Sequence, residues 1–300
     1  MKRVAYSRAT IRMFLTVALT GSLAIINDPL SRNGMLAALA QTKYAVKEVA
    51  AYQGQGFVGS KTRVGAPMNA DIVYLTIRGS RLTPKVIGVT PAAPAGPSAI
   101  DALTDQRVHV VVGSAYVETF YPPTPVGLLI VAGRTINPLN KQGMSSVLAV
   151  RSGRLALTSK EEYNASRVEG AFQVGPQLVK SAQVVSKGLL QFEPRIVDPK
   201  KQFAYSQKVT EEPRATRAFV GFRADGTIVL GVALQPVRLS DLALFLAAKT
   251  EFGGLGCSEA VNLCGGGSEV LTFRTGRETQ SFGNKSLRQA ALLTFLRPGQ

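Results

Sequence analysis

The stretch of sequence with the most chemical potential is an apolar run, Ala260 to Leu263, that leads through Cys264 into three consecutive glycines and Ser268. The run predicts a buried strand. Glycines directly after a strand let the backbone adopt positive φ and approach a ligand closely, and their N–H groups can form a nest for an anion. A plain tight turn or bulge explains the same pattern. A nucleoside-triphosphate loop is excluded because no lysine follows the glycines.

Few side chains are available for nucleophilic or metal chemistry. The chain has two cysteines and one histidine, which excludes a four-cysteine zinc site. A single histidine also provides few residues for a histidine-based metal site or a catalytic triad. Cys264 as a nucleophile would need an activating base, and His109 lies on a Val-rich strand where a structural histidine is the more common outcome. Cys257 and Cys264 flank a predicted strand, and an extended segment of that length holds their Cα atoms too far apart for a disulfide. The sequence therefore predicts two free thiols. We expect no cofactor, with a divalent cation left as an alternative.

Composition and charge narrow the class of protein. The 300 residues are 45% hydrophobic and 18% charged, with 29 glycines and 16 prolines, which indicates a globular domain rich in strands and turns. Thirty-five basic against 19 acidic residues give a net charge of +16. Such an excess suits nucleic acid, an anionic envelope surface or a phosphorylated substrate. No specific nucleic-acid partner is expected, because the chain has no Trp and no aromatic-basic module.

The first forty residues predict an export segment. A basic start with Lys2 and Arg3 precedes an uncharged run from Met13 to Ile26, and Ala38-Leu39-Ala40 fits signal-peptide cleavage. The uncharged run is short for a membrane span of about 20 residues. We therefore expect an exported protein, periplasmic or secreted, whose only membrane contact would be an uncleaved N-terminal anchor. Removal of residues 1–40 takes away five basic residues and one acidic residue, which leaves +12.

The remaining chain predicts an α+β domain. Asp225-Gly226 marks the clearest hairpin, and helices are predicted from an N-cap at Ser240 and over Ser286 to Leu296. A polar lead-in at residues 41–69 precedes a strand-rich single domain of hairpins, with a mixed sheet and few helices, at residues 70–300. Strands are predicted at residues 71–77, 108–112, 127–131, 147–150, 155–158, 218–222, 227–233 and 260–263.

Four segments occur in order across roughly residues 108–275: Val126-Gly127-Leu128 with Ile136-Asn137-Pro138-Leu139-Asn140, Phe172 to Lys180, Arg217 to Gly221, and Ala260 to Ser268. In residue type, order and spacing they resemble motifs of the phosphodiester glycosidase family, which includes many exported bacterial proteins. The resemblance implies hydrolysis of a sugar joined through phosphate to another group. It implies a site in which Arg217 meets the phosphate while Asn262, Gly265, Gly266, Gly267 and Ser268 contact the substrate. One end of a surface ion pair is the alternative role for Arg217, and orientation of the glycines is the alternative for Asn262.

The sequence departs from the family pattern at two positions. Cys264 stands where the family has Asp, and the Asn expected near Gly113 to Tyr116 is missing. A neutral thiol cannot act as base or metal ligand without losing its proton. Glu118 is the acid we choose as the substitute, with a solvated loop carboxylate as its alternative. The expected function is an exported hydrolase acting on a phosphorylated or anionic glycan; the alternative is a lapsed member that binds anionic envelope glycans.

Overall fold

The computed structural model describes residues 43–113, 115–141, 144–185 and 213–298, and the backbone of two further strands at 194–198 and 202–205. The predicted leader at residues 1–40 lies outside the described residues. The described α-helices are α1 (Ala99–Ala102) and α2 (Leu239–Ala247). The strands, in chain order, are β1 (Val46–Gly54), β2 (Phe57–Val64), β3 (Ala70–Ile77), β4 (Thr83–Gly88), β5 (Val108–Gly113), β6 (Val117–Phe120), β7 (Pro123–Pro125), β8 (Leu129–Val131), β9 (Arg134–Asn137), β10 (Ser146–Arg151), β11 (Arg154–Ser159), β12 (Gly170–Val174), β13 (Gln177–Lys180), β14 (Gln183–Val184), β15 (Pro194–Asp198), β16 (Gln202–Tyr205), β17 (Ala215–Phe222), β18 (Ile228–Val237), β19 (Glu259–Gly265), β20 (Val270–Thr275), β21 (Glu278–Gly283) and β22 (Ala291–Leu296).

An eight-stranded sheet, in the order β1-β2-β3-β18-β17-β19-β13-β14, holds four of the eight candidate residues: Arg217, Asn262, Cys264 and Gly265. Side chains alternate between its two faces, as strand geometry requires. Val220 and Val261 point into the main hydrophobic core, whereas Phe219 and Ala260 point to a second cluster that α2 covers. Because both faces are buried, β17 and β19 are apolar along most of their length, and a polar side chain on either strand is an exception.

Two five-stranded sheets close the other side of the main core. Their strand orders are β11-β10-β12-β8-β9 and β21-β20-β5-β22-β4. Phe172 of β12, Phe273 of β20 and Phe295 of β22 fill the space between these sheets and the eight-stranded one. The pairs β6-β7 and β15-β16 are separate hairpins. The glycine-rich segment after β19 therefore leaves the large sheet and enters β20 of a different sheet.

The predicted fold class, α+β with a mixed sheet, was wrong. The described strands pair antiparallel throughout, and the helical content of the described residues is two short α-helices and two 3₁₀ turns. The fold is consequently a β fold. In the described part of the chain no helix is long and apolar enough to cross a membrane.

The C-terminal segment explains much of this error. Residues 286–296 were predicted as a helix, but β22 (Ala291–Leu296) forms there between β5 and β4. Leu293 and Phe295 point into the main core, while Leu292 packs on the cluster beside α1. A strand buried on both faces lacks the alternation of apolar and polar residues that identifies a half-exposed strand, so the apolar run was mistaken for a helix.

Other local predictions match the structure more closely. The Asp225-Gly226 turn joins β17 to β18, with Gly226 at φ 78° and the Thr227 N–H donating to Asp225 Oδ1 at 2.9 Å. Helix α2 forms where the sequence predicts it, although it begins at Leu239 rather than after an N-cap at Ser240. Strands β1 and β2 lie in the segment predicted as a polar lead-in and extend the eight-stranded sheet by a hairpin that the sequence did not predict.

Candidate functional site

A glycine turn, defined here as residues 265–268, connects β19 to β20. Gly266 and Gly267 have φ values of 68° and 101°, which side chains with a Cβ rarely adopt. A Cβ built on either residue would meet no atom within 4 Å. Glycine is therefore required at these two positions by backbone conformation, and the space above the turn is open.

Two N–H groups of the turn donate within the protein. Gly266 N–H donates to the Thr216 carbonyl at 3.1 Å, and Gly267 N–H donates to Glu269 Oε2 at 2.8 Å. The Ser268 hydroxyl donates to the Gly265 carbonyl at 3.0 Å. The predicted anion nest is thus occupied at Gly267 by a carboxylate of the chain itself.

Arg217 lies directly beside the turn. It is on β17, opposite Gly265 of β19, and is 1% exposed. A Cβ on Gly265 would lie 2.3 Å from the Thr216 carbonyl oxygen and 3.1 Å from Arg217 Cδ, so glycine is what permits the two strands to approach here. The structure therefore brings together Arg217 and the glycines, with the guanidinium buried against the turn.

Asn262 is held by a hydrogen-bond cluster that includes Tyr116. Its Nδ2 donates to Tyr116 Oη at 2.6 Å and to the Gly175 carbonyl at 3.3 Å, and Tyr116 Oη donates to the same carbonyl at 2.9 Å. The backbone of Asn262 also pairs with Gly175 and Pro176. With 0% exposure, Asn262 is placed to fix β19 beneath the turn. Sequence reasoning did not select Tyr116, because only the folded chain brings it to β19.

Cys264 points into the main core and is 1% exposed. Its Sγ donates to the Ser268 carbonyl at 3.5 Å, an oxygen that also accepts from Gln289 Nε2 at 2.9 Å. His109 lies on β5, where burial lowers its pKa together with the charges of Arg297 and Arg274. Both cysteines are free, as the sequence predicted, and burial raises the pKa of the Cys257 thiol to about 12. A thiol packed in an apolar core is poorly placed to form a thiolate.

Glu118 is separate from the turn's contacts. It is exposed on β6, whose hairpin with β7 lies at the surface. Among the described residues, Glu118 makes no hydrogen bond or ion pair with Arg217 or the glycine turn. The backbone segment that carries it reaches the site through Tyr116, two residues earlier. A role for Glu118 in catalysis stays a prediction.

Glu269 is a carboxylate at the turn that sequence reasoning did not select. It follows Ser268 directly, is 8% exposed, and accepts the Gly267 N–H through Oε2. The available signal was its position two residues after the last glycine, since a side chain there can fold back on the turn. Within the described ranges, no group of three or more His, Cys, Asp or Glu residues is arranged to hold a metal ion.

Two cavities of the described structure lie away from the glycine turn. One of about 640 Å³ faces β1, β2 and β3 and is lined by residues that include Tyr52, Tyr74 and Arg223. Another of about 310 Å³ is lined by residues that include Lys85 and Arg297. Neither cavity is lined by a residue of the turn.

Two solved structures share this fold. The catalytic domain of zebrafish N-acetylglucosamine-1-phosphodiester alpha-N-acetylglucosaminidase, auto-inhibited by its pro-peptide, matches with a TM-score of 0.54 at 14% identity, over 93% of this chain and 96% of that chain. A hypothetical protein from Synechocystis matches with a TM-score of 0.50 at 13% identity, over 84% of this chain and 64% of that chain. At these identities the likeness establishes the fold, which is one used by a glycosidase catalytic domain.

The sequence itself identifies the family. No curated protein matches the sequence significantly. Residues 105–293, well over half of the chain, match the phosphodiester glycosidase family. The chain belongs to that family, and the resemblance seen in its four segments is confirmed.

Proposed function

We propose that the protein is an exported hydrolase that releases a sugar from a phosphodiester-linked glycoside by cleaving the bond between the sugar and the phosphate. Family membership supports a glycosidase-type reaction. The observation that carries the proposal is the contact between Arg217 and Gly265, which places a buried positive charge beneath an open glycine turn. An anionic phosphodiester above the turn is attracted by that charge.

The substrate is proposed to bind over Gly266 and Gly267, where the space is open. Arg217 lies against the turn at 1% exposure, where water screens its charge little. Its planar guanidinium is proposed to direct that charge and its donors toward the phosphate, a geometry that a lysine would not reproduce. Ser268 borders the same space. Asn262 and Tyr116 hold β19, and hence the turn, in register. The net charge of +12 that remains after removal of residues 1–40 favours encounter with any anionic glycan, while the turn provides the local geometry.

The chemistry suits a site without a strong acid. When the sugar–oxygen bond breaks, the leaving group is a phosphate monoester, which is stable as an anion and needs little protonation. The protein's main tasks are then to position the substrate and to stabilise charge as it develops on the phosphate. A carboxylate that accepts a proton from water completes the hydrolysis.

The second candidate function is binding of anionic envelope glycans without turnover. Two observations favour it: Cys264 replaces the family's Asp and is buried in the core, and the Gly267 N–H is already bound by Glu269. Both functions involve the same site and the same class of ligand. They differ in whether the sugar–phosphate bond is cut.

The test is sugar release from a panel of glycosyl phosphodiesters by wild type, Arg217→Lys and the control Arg214→Lys. Lysine keeps the charge of Arg217 but lacks its planar guanidinium, whereas Arg214 is exposed on the same segment. We expect turnover by wild type, a loss of about tenfold or more in Arg217→Lys, and no loss in the control, with equal thermal melting checked for all three. Binding of the panel without sugar release would select the second function, and neither binding nor release would overturn both.

Export is proposed from the leader sequence. Expression of the full chain in a bacterial host, followed by fractionation and N-terminal sequencing, tests it. We expect the mature protein outside the cytoplasm and beginning near Gln41. A protein retained in the cytoplasm with residues 1–40 intact would refute the proposal.

A further inference from the structure

Among the described carboxylates, Glu269 is the one that hydrogen-bonds to the glycine turn. Asp71, another buried acid, is committed elsewhere by its ion pair with Arg63, whose hydrogen bond and charge hold the pKa of Asp71 below its ordinary value. Glu259 accepts hydrogen bonds from Gln177 and Ser181 near the opposite end of β19. The turn thus has its own carboxylate, although Cys264 provides none.

Glu269 is held rigidly up to its carboxylate. Its carbonyl accepts the Asn284 N–H at 2.9 Å, and a Cβ on Gly283 would lie 2.1 Å from that carbonyl, so the backbone of β21 fits closely against it. The side chain is 8% exposed, and Oε2 is fixed by the Gly267 N–H at 2.8 Å. A carboxylate with one oxygen fixed by the backbone has few orientations left, which is the condition for a positioned base.

The second oxygen is available for chemistry. Glu269 Oε1 accepts no hydrogen bond from the described residues, and Glu269 forms no ion pair with them. Its negative charge is therefore stabilised by a single backbone N–H and is not neutralised by a guanidinium or ammonium group. A Cβ built on Gly266 or Gly267 would meet no atom within 4 Å, so the space over the turn is open two to three residues before this carboxylate in the chain.

We propose that Glu269 is the general base of the hydrolysis, a role that rests on the proposed function. Water attacks the anomeric carbon while Glu269 Oε1 takes one of the water's protons. The bond between the anomeric carbon and the phosphate oxygen breaks, and its electron pair leaves with the phosphate monoester. The products are the free sugar, the phosphate monoester and protonated Glu269, which returns its proton to solvent. No other reactant is required.

The variant that separates chemistry from structure is Glu269→Gln. A glutamine carbonyl oxygen can still accept the Gly267 N–H, so the turn keeps its hydrogen bond, but the amide cannot accept a proton at working pH. Glu278→Gln is the matched control because Glu278 is exposed on β21. General-base catalysis typically contributes about 10²–10⁴-fold. We expect kcat of Glu269→Gln to fall about 100-fold or more, with substrate Kd changed by less than about threefold, and kcat of Glu278→Gln to be unchanged.

Two further measurements distinguish a base from a structural residue. The pH profiles of kcat for wild type and Glu269→Gln should differ in shape if the carboxylate acts as the base, and should keep the same shape if the residue is only structural. Added formate should restore part of the rate of Glu269→Ala, since a small carboxylate can occupy the space that the side chain leaves. An active wild type with an unaffected Glu269→Gln would overturn this role alone, whereas a wild type inactive on every substrate would overturn the proposed function as well.

Discussion

Replacing Gly265 with alanine places a methyl group 2.3 Å from the Thr216 carbonyl oxygen and 3.1 Å from Arg217 Cδ. The nearest atom belongs to the backbone of β17, so the strands must separate by about 1 Å to restore ordinary contact. Overpacking of this kind typically costs about 1–3 kcal/mol. We expect Gly265→Ala to lie near the upper end of that range, because both neighbouring strands are buried, and to lose about tenfold or more in turnover as Arg217 is displaced.

Gly266→Ala is the matched control in the same turn. Its methyl group would meet no atom within 4 Å, so the cost is that of a positive φ of 68°, about 1 kcal/mol. Urea unfolding of the two variants measures both costs. In a double-mutant cycle with Arg217→Lys, the effects of Gly265→Ala on the free energy of unfolding should deviate from additivity by about 0.5 kcal/mol or more. The effects of Gly266→Ala and Arg217→Lys should be additive. Equal stability of the two alanine variants, or additivity at Gly265, would refute the described packing.

Three further changes test other parts of the structure. Tyr116→Phe removes the hydroxyl that accepts from Asn262, and we expect a loss of about 1–2 kcal/mol in urea unfolding; a loss under 0.3 kcal/mol would contradict that bond. Cys264→Asp should be less stable than Cys264→Ser by several kcal/mol, because it buries a carboxylate at a position that is 1% exposed. A melting temperature equal to that of wild type would contradict the burial of this position. Burial lowers the pKa of His109, so as the pH falls below about 6.5 the unfolded chain takes up a proton before the folded chain does. The free energy of unfolding of wild type should therefore decrease there relative to that of His109→Gln, and the difference between the two should be constant above about pH 7.5. A difference in stability between the two proteins that does not change with pH would contradict the lowered pKa of His109.

The strands that sequence reasoning found are those with a local signal. The β17–β18 hairpin is marked by its Asp225-Gly226 turn, and β19 is marked by the glycines that end it. Strand β22 has no such mark, because its pairing with β5 and β4 depends on residues about 180 or more positions away in the sequence. The fold class was wrong for that reason: its deciding element is defined by tertiary pairing.

The candidate site shows the same division. Family motifs identified Arg217 and the glycines, and the structure brings them into contact. No motif identified Tyr116 or Glu269. Tyr116 contacts Asn262, which is 146 residues away in the sequence, and the side chain of Glu269 reaches the turn by folding back on it. Glu118 was chosen for its place in the sequence, but its exposure on β6 depends on a surface hairpin that no motif specifies.

The strand order of the large sheet has a consequence for how the chain folds. Ile77 of β3 pairs with Ile228 of β18, and Val112 of β5 pairs with Leu293 of β22, so the central pairings of two sheets join residues 151 and 181 positions apart. Proteins dominated by such distant pairings fold slowly, because loop-closure entropy must be overcome before the contacts form. Until β20 and β22 have been synthesised, β5 lacks both of its neighbours in the sheet and exposes both of its edges. The order in which the strands are made therefore keeps one of the buried sheets open until residues far from β5 in the sequence are available to close it.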